Sequence, residues 1–175
     1  MSKIFVITGG PGTGKTSVID ELRGRGFRVL VEAAREISIS DERFIGKSVL
    51  EADKKDFQDA IFELQKEKLS ELKNDEIVFS DRGLGDTLAY YKINGLEIPG
   101  GNLEFAERFR YDGIFVLDFL DFYETDELRQ ESKEEQERVH NEIIREYEKL
   151  GYEVVIVPFM SVEKRVEFIE GFCRF

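Results

Sequence analysis

Gly9-Gly10-Pro11-Gly12-Thr13-Gly14-Lys15-Thr16 follows the apolar run Ile4-Phe5-Val6-Ile7 and precedes Ser17-Val18-Ile19-Asp20-Glu21-Leu22. The spacing G-x-x-x-x-G-K-T between a buried strand and a helix predicts a phosphate-binding loop. Small residues let backbone N–H groups converge on phosphate oxygens, and the following helix turns its positive end toward the same anion. Gly10, Pro11, Gly12, Thr13, Gly14, Lys15, Thr16 and Ser17 are therefore the candidate residues for binding a nucleoside triphosphate. Within them Lys15 is suited to the β- and γ-phosphates and the Thr16 hydroxyl to Mg²⁺. A glycine-rich turn with an accidental lysine would lack this flanking strand and helix.

Outward from the loop, strand-like apolar runs alternate with helix-like stretches, a pattern that predicts an α/β fold with a parallel sheet wrapped by helices. The strands are expected at Ile4–Thr8, Arg28–Glu32, Glu76–Asp81, Gly113–Asp118 and Glu153–Val157. Between the second and third, Phe57, Ala60, Ile61, Leu64, Leu69 and Leu72 recur at helical spacing and are expected to cover the sheet. A second amphipathic helix is expected from Lys133 to Leu150, stopped by Gly151, and Ser161 reads as the cap of a last one. These apolar stripes read as core.

The chain has 175 residues, a length that suits one domain spanning 1–175. No apolar run approaches the roughly 20 residues needed to span a bilayer, and Met1-Ser2-Lys3 leads straight into the first strand, so a cytoplasmic location is expected. A net charge of −12 argues against salt-driven attraction to nucleic acid or anionic lipid, while leaving room for a local basic pocket. Cys173 is the single cysteine, which rules out an internal disulfide and a cysteine-built metal site; it reads as a structural or exposed thiol near the terminus.

Chemistry on a triphosphate needs acids near the phosphates, and a parallel sheet delivers them at the C-terminal ends of its strands. Asp81, after Ile77-Val78-Phe79-Ser80, suits an acid that holds Mg²⁺, or else a structural cap. Glu32, after Val29-Leu30-Val31, either takes a proton from an acceptor hydroxyl as general base or caps the next helix. Asp118 reads as a solvated loop residue. Guanidinium groups neutralise a phosphoryl in transfer, and Arg82 and Arg35 are the first choices, with Arg129 and Arg138 in or near the charged stretch 118–138. That stretch reads as a flap at about 119–133. His140, beside Val139 in the amphipathic helix, reads as a packed or surface histidine.

The loop together with Val31-Glu32-Ala33-Ala34-Arg35-Glu36, Ser80-Asp81-Arg82-Gly83 and Asp86-Thr87-Leu88-Ala89-Tyr90 resembles the AAA-type P-loop ATPases grouped with the kinase domain of the NadR regulator and the Ttd14 protein. The likeness continues through Leu150-Gly151-Tyr152, Val157-Pro158 and Val162-Glu163-Lys164-Arg165-Val166. It implies a three-layer P-loop NTPase with a five-stranded sheet in the kinase-like order 2-3-1-4-5. It also implies a lid around Tyr123 to Arg129 and a nucleotide base near Pro158-Phe159-Met160-Ser161. Relatives in that grouping include nucleoside, nucleotide and nicotinamide riboside kinases.

The expected function is an ATP- or GTP-dependent, Mg²⁺-requiring phosphotransferase acting on a small nucleoside- or nucleotide-like acceptor. The alternatives are a slowly hydrolysing nucleotide switch and a standalone NTPase. The acid at Glu32 and the helical inserts Ser48–Asn74 and Gly83–Gly101 favour transfer, because together they would build an acceptor pocket. Phe57, Phe62, Tyr90 and Tyr91 are candidates there for stacking on a base or for core packing. No nucleic-acid partner is expected, and the oligomeric state is left open.

Overall fold

A computed structural model describes residues 2–45, 53–73, 75–119 and 132–173. Five strands, β1 (Lys3–Thr8), β2 (Arg28–Leu30), β3 (Ile77–Asp81), β4 (Gly113–Leu117) and β5 (Val154–Val157), pair in parallel in the order β2-β3-β1-β4-β5. The helices are α1 (Lys15–Gly24), α2 (Ala33–Ser40), α3 (Lys54–Ser70), α4 (Leu84–Ile93), α5 (Gly100–Arg108), α6 (Lys133–Lys149) and α7 (Val162–Cys173).

Alternation along the strands sorts side chains into two layers of core. Phe5, Ile7, Phe79, Phe115 and Leu117 point to the face covered by Val18, Ile19 and Leu22 of α1 and Val166 and Ile169 of α7. Ile4, Val6, Ile114 and Val116 point the other way, to Leu84 and Leu88 of α4 and Val139, Ile143 and Tyr147 of α6. Cys173 belongs to the first layer, where burial pushes its thiol up to about 12. It is a structural residue.

The apolar stripe of α3 divides its work, which the spacing alone did not show. Phe62, Leu69 and Leu72 pack toward the sheet, whereas Phe57, Ala60, Ile61 and Leu64 pack with Ala33 and Ile37 of α2. The helix that follows Glu32 spans Ala33–Ser40, and β2 is correspondingly shorter than the expected Arg28–Glu32: the chain leaves this edge strand after Leu30, and Glu32 stands at the N-cap position of α2. Elsewhere the expected caps at Gly151 and Ser161 are in place, and Asp53 and Ser132 add two more. Asp53 accepts from the N–H of Lys55 and Asp56, Ser132 and Glu135 form a capping box, Gly151 takes φ +84° after α6, and Ser161 accepts weakly from Lys164 N–H at 3.4 Å.

Register sets the site. Ile7 of β1 is level with Asp81 of β3, so the loop leaving β1 emerges beside that carboxylate. No helix among the described residues is long and apolar enough to cross a membrane. Of the expected flap, residues 120–131, with Tyr123 and Arg129, lie outside the described residues, and Ser132 and Lys133 open α6.

Candidate active site

The loop between β1 and α1 owes its path to glycine at two positions in particular. Gly9 has φ +138°, and a Cβ there would lie 2.8 Å from the Leu117 carbonyl; Gly14 has φ +82° at the N-cap position of α1. Thr13 is fully buried and donates to the Gly10 carbonyl at 3.0 Å. Lys15 opens α1, with Thr16 and Ser17 exposed behind it in the first turn. Lys15 Nζ donates to the carbonyls of Gly9 and Gly10 at 3.0 and 3.3 Å. Burial, reinforced by the charge on Arg82, lowers its pKa to about 8.

Two residues from distant helices brace this loop. Arg165 of α7, only 2% exposed, donates to the Thr13 carbonyl at 2.6 Å and the Asp118 carbonyl at 3.1 Å, with its guanidinium 5.6 Å from the centre of the Phe159 ring. His140 of α6 accepts the Gly10 N–H at Nδ1, 3.1 Å away. The sequence assigned neither role, though a signal existed: each sits at a buried register of an apolar helical stripe, Val162-Arg165-Ile169 and His140-Ile143-Tyr147. Asp118 itself is exposed, its carboxylate accepting the adjacent Phe119 N–H, in keeping with a loop residue.

Around the ends of β2 and β3 lies a charged cluster. Arg82 has φ +67°, a left-handed conformation that costs a non-glycine residue on the order of 1–2 kcal/mol. Its backbone is held by its N–H on the Ile7 carbonyl and by the Ser80 hydroxyl on its own carbonyl. The side chain then bridges Glu32, through Nε at 2.7 Å, and Asp86, through NH1 at 3.0 Å. Burial opposes the charge on Arg82, but Tyr90, Asp86 and Glu32 outweigh it and hold the pKa above the ordinary value. Glu32 occupies the N-cap position of α2 without capping it, because its carboxylate turns to Arg82. Asp86, 1% exposed, is the hub: it accepts from Arg82, the Gly83 N–H, Thr8 and the Tyr147 hydroxyl. Asp81 is different, since its buried Oδ1 has no hydrogen-bond partner. Burial and the neighbouring charge of Glu32 push its pKa up to about 6.

Next to this cluster opens a cavity of about 400 Å³. Glu32 and Ala33, α3 through Phe57, Gln58 and Gln65, α4 through Asp86, Thr87 and Tyr90, and α6 through Arg138 and Val139 line it. The two helical inserts do wall a pocket, but only two of the four aromatic candidates reach it. Phe57 and Tyr90 line the cavity; Phe62 and Tyr91 are fully buried core, with the Tyr91 hydroxyl donating to Asp59. Arg35 is exposed on α2 and lies off the cavity, whereas Arg138 is on its rim.

The structure thus brings Lys15, Glu32, Asp81 and Arg82 into one electrostatically coupled group beside the loop, with the cavity meeting it at Glu32 and Arg82. A family model described as AAA domain matches residues 4–165. The chain belongs to the AAA domain family. Among solved structures, this AAA domain superimposes on NadR protein in complex with NR, at TM-score 0.66 and 22% identity over 98% of the chain and 50% of NadR. It spans about half the length of that protein. It also superimposes on deoxyadenosine kinase from M. mycoides with bound dATP (TM-score 0.62, 16% identity, 96% and 97% covered). Thymidylate kinase from Ehrlichia chaffeensis is similar to the same extent (0.64, 15%, 99% and 99%). At these identities the likeness establishes the fold, a P-loop kinase-like α/β sheet in the order 2-3-1-4-5. A search of curated proteins finds no match to this AAA domain.

Proposed function

We propose that the protein is a phosphotransferase that moves the terminal phosphoryl group of ATP to a hydroxyl of a small nucleoside- or nucleotide-like acceptor, with residues 1–175 acting as one cytoplasmic domain. One observation carries the reading: Glu32, with its partner Arg82 and Asp86, belongs both to the charged cluster beside the phosphate loop and to the lining of the 400 Å³ cavity. A hydrolase needs room for a water at the phosphate; a 400 Å³ chamber ending at a carboxylate suits an organic acceptor.

The amides of Gly12 to Thr16 and the Lys15 ammonium hold the phosphates and cancel charge that builds on the phosphoryl oxygens. Glu32 takes the proton as the acceptor oxygen forms its bond to the γ-phosphorus. The bond from that phosphorus to the β–γ bridging oxygen breaks, and ADP leaves with the bond's electrons. Arg82 aims Glu32 through its Nε contact and is itself fixed by Asp86.

Mg²⁺ fits the residues present. Asp81 offers a buried Oδ1 without a partner, and Thr16 offers a hydroxyl one residue after Lys15. Among the described residues no group of three His, Cys, Asp or Glu could hold a metal ion by itself. When bound, it would neutralise and orient those phosphates. From the sequence, Arg129 is assigned to neutralise the transferred group, since the guanidinium of Arg82 is committed to Glu32 and Asp86.

The test is transfer of label from γ-labelled ATP, with Mg²⁺, to members of a pool of nucleosides and nucleotides, with Lys15→Ala as blank. Labelled acceptor is the expected result. Label released only as phosphate, at a rate the pool does not change, would replace this reading with the hydrolase or switch.

A further inference from the structure

Resting on the phosphotransferase reading above, we propose that the acceptor is an uncharged nucleoside, lying along the cavity with its hydroxyl at Glu32 and an N–H edge of its base on Gln58. Gln58 is 7% exposed and lines the cavity, yet its buried Oε1 has no hydrogen-bond partner. A buried acceptor without a donor is costly, and a ligand N–H in the cavity satisfies it. Gln65, on the same helix, is differently employed: its Oε1 accepts the Thr87 hydroxyl at 2.8 Å, and it borders the recess beside Asp81 and Arg82. Gln65 therefore marks the catalytic end and Gln58 the far end. Seven residues of α-helix separate them, about 10 Å at 1.5 Å per residue. A ribosyl heterocycle spans such a length with its primary hydroxyl at one end and the polar edge of its base at the other. Phe57 and Tyr90 give the ring apolar walls between these points.

Charge sets the acceptor's phosphorylation state. The catalytic end presents the carboxylates of Glu32 and Asp86, and the guanidinium between them is committed to both, at 2.7 and 3.0 Å. Among the described lining residues the other cation is Arg138, exposed on α6 close in sequence to Glu135, which lines the same rim. A carboxylate facing a hydroxyl acts as its base; facing a phosphate dianion it repels it. The described wall thus favours a neutral nucleoside over its monophosphate.

The full chain with Mg²⁺ and ATP is assayed against a panel of nucleosides and their 5′-monophosphates. The best acceptor is then compared with its base-N-methylated counterpart, such as uridine with 3-methyluridine or inosine with 1-methylinosine, in the native chain and in Gln58→Leu. The expected result is a kcat/KM at least 100-fold higher for the nucleoside than for its monophosphate. Methylation or Gln58→Leu should each lower it about tenfold or more, through KM, with little further loss when combined and no change in ATP affinity. Equal use of monophosphates, or indifference to methylation, would overturn this assignment and leave the phosphotransferase standing. If no acceptor is labelled, that reading falls, and calorimetry with a non-hydrolysable ATP analogue decides the inference by itself. Nucleoside binding that exceeds monophosphate binding and is lost on methylation supports it; any other outcome overturns it.

Discussion

The Nδ1 atom of His140, on α6, accepts a hydrogen bond from the backbone N–H of Gly10, 3.1 Å away in the phosphate loop. The two elements meet so closely that a Cβ on Gly10 would lie 3.0 Å from the Gln136 carbonyl and from His140 Cβ. Burial lowers the pKa of His140, Lys15 adds to this and Asp118 opposes it, so the ring is neutral at pH 7 and its proton sits on Nε2. The same helix lines the neighbouring cavity through Arg138 and Val139. One element therefore touches both the phosphate loop and the cavity.

His140→Leu should destabilise the fold by about 1–3 kcal/mol, because the buried Gly10 N–H is left without its acceptor. Acid should mimic the substitution. The folded pKa lies below the ordinary value, so the unfolded chain binds more protons, and stability falls as pH drops below about 6.5. Denaturant titrations between pH 5 and 8 should show this slope, and His140→Leu should flatten it.

Asp81 has the opposite sign. Its folded pKa of about 6 exceeds the ordinary 3.8, so the folded chain binds more protons and the carboxylate's contribution is lost as pH rises through that interval. Asp81→Asn should therefore stabilise the protein above pH 7 by on the order of 1 kcal/mol, while cutting Mg²⁺-dependent transfer by 100-fold or more. Melting curves and transfer rates measured on the same variant check both halves. A variant that lost stability would show that Asp81 is held by bonds rather than frustrated.

Lys15, with its pKa at about 8, is partly deprotonated in mildly alkaline solution. A bound triphosphate favours the ammonium, so binding should draw in a proton and weaken as pH rises above 8. Calorimetry in two buffers of different ionisation enthalpy reads the proton directly. Lys15→Ala should abolish both the proton uptake and most of the affinity.

Arg82 forks between Glu32 and Asp86, and Lys cannot reproduce two directed bonds from one planar group. Arg82→Ala should cost about 3–5 kcal/mol by leaving the buried Asp86 without its cation, and Arg82→Lys should restore less than half of that. Urea unfolding measures the loss.

Gly85→Ala tests the packing of α4 on α6. The new Cβ would stand 2.7 Å from the Tyr147 ring, so a loss of about 1–3 kcal/mol is expected. Tyr147→Phe should cost about 1–3 kcal/mol for a different reason, the loss of a donor to the buried Asp86. Thermal melts of the two variants should fall by similar amounts, and only the second should also perturb transfer.

The amino-acid sequence by itself determined the phosphate loop, the five apolar strands and the alternation of strand and helix. Each of these is written in neighbouring residues: eight consecutive positions for the loop, runs of four or five for the strands, helical spacing for the covering stripes. Asp81 was legible for the same reason, since a parallel sheet places strand ends in a known layer, and Glu32, two residues past the end of β2, stays beside that layer. What the tertiary structure decided was the pairing. Arg82 reaches Glu32 across 50 residues, Tyr147 reaches Asp86 across 61, His140 reaches Gly10 across 130 and Arg165 reaches Thr13 across 152. No local pattern encodes such bonds. They exist because the order β2-β3-β1-β4-β5 stacks distant segments against one loop, and folding satisfies a buried charge with whichever partner the packed layers bring within 3 Å.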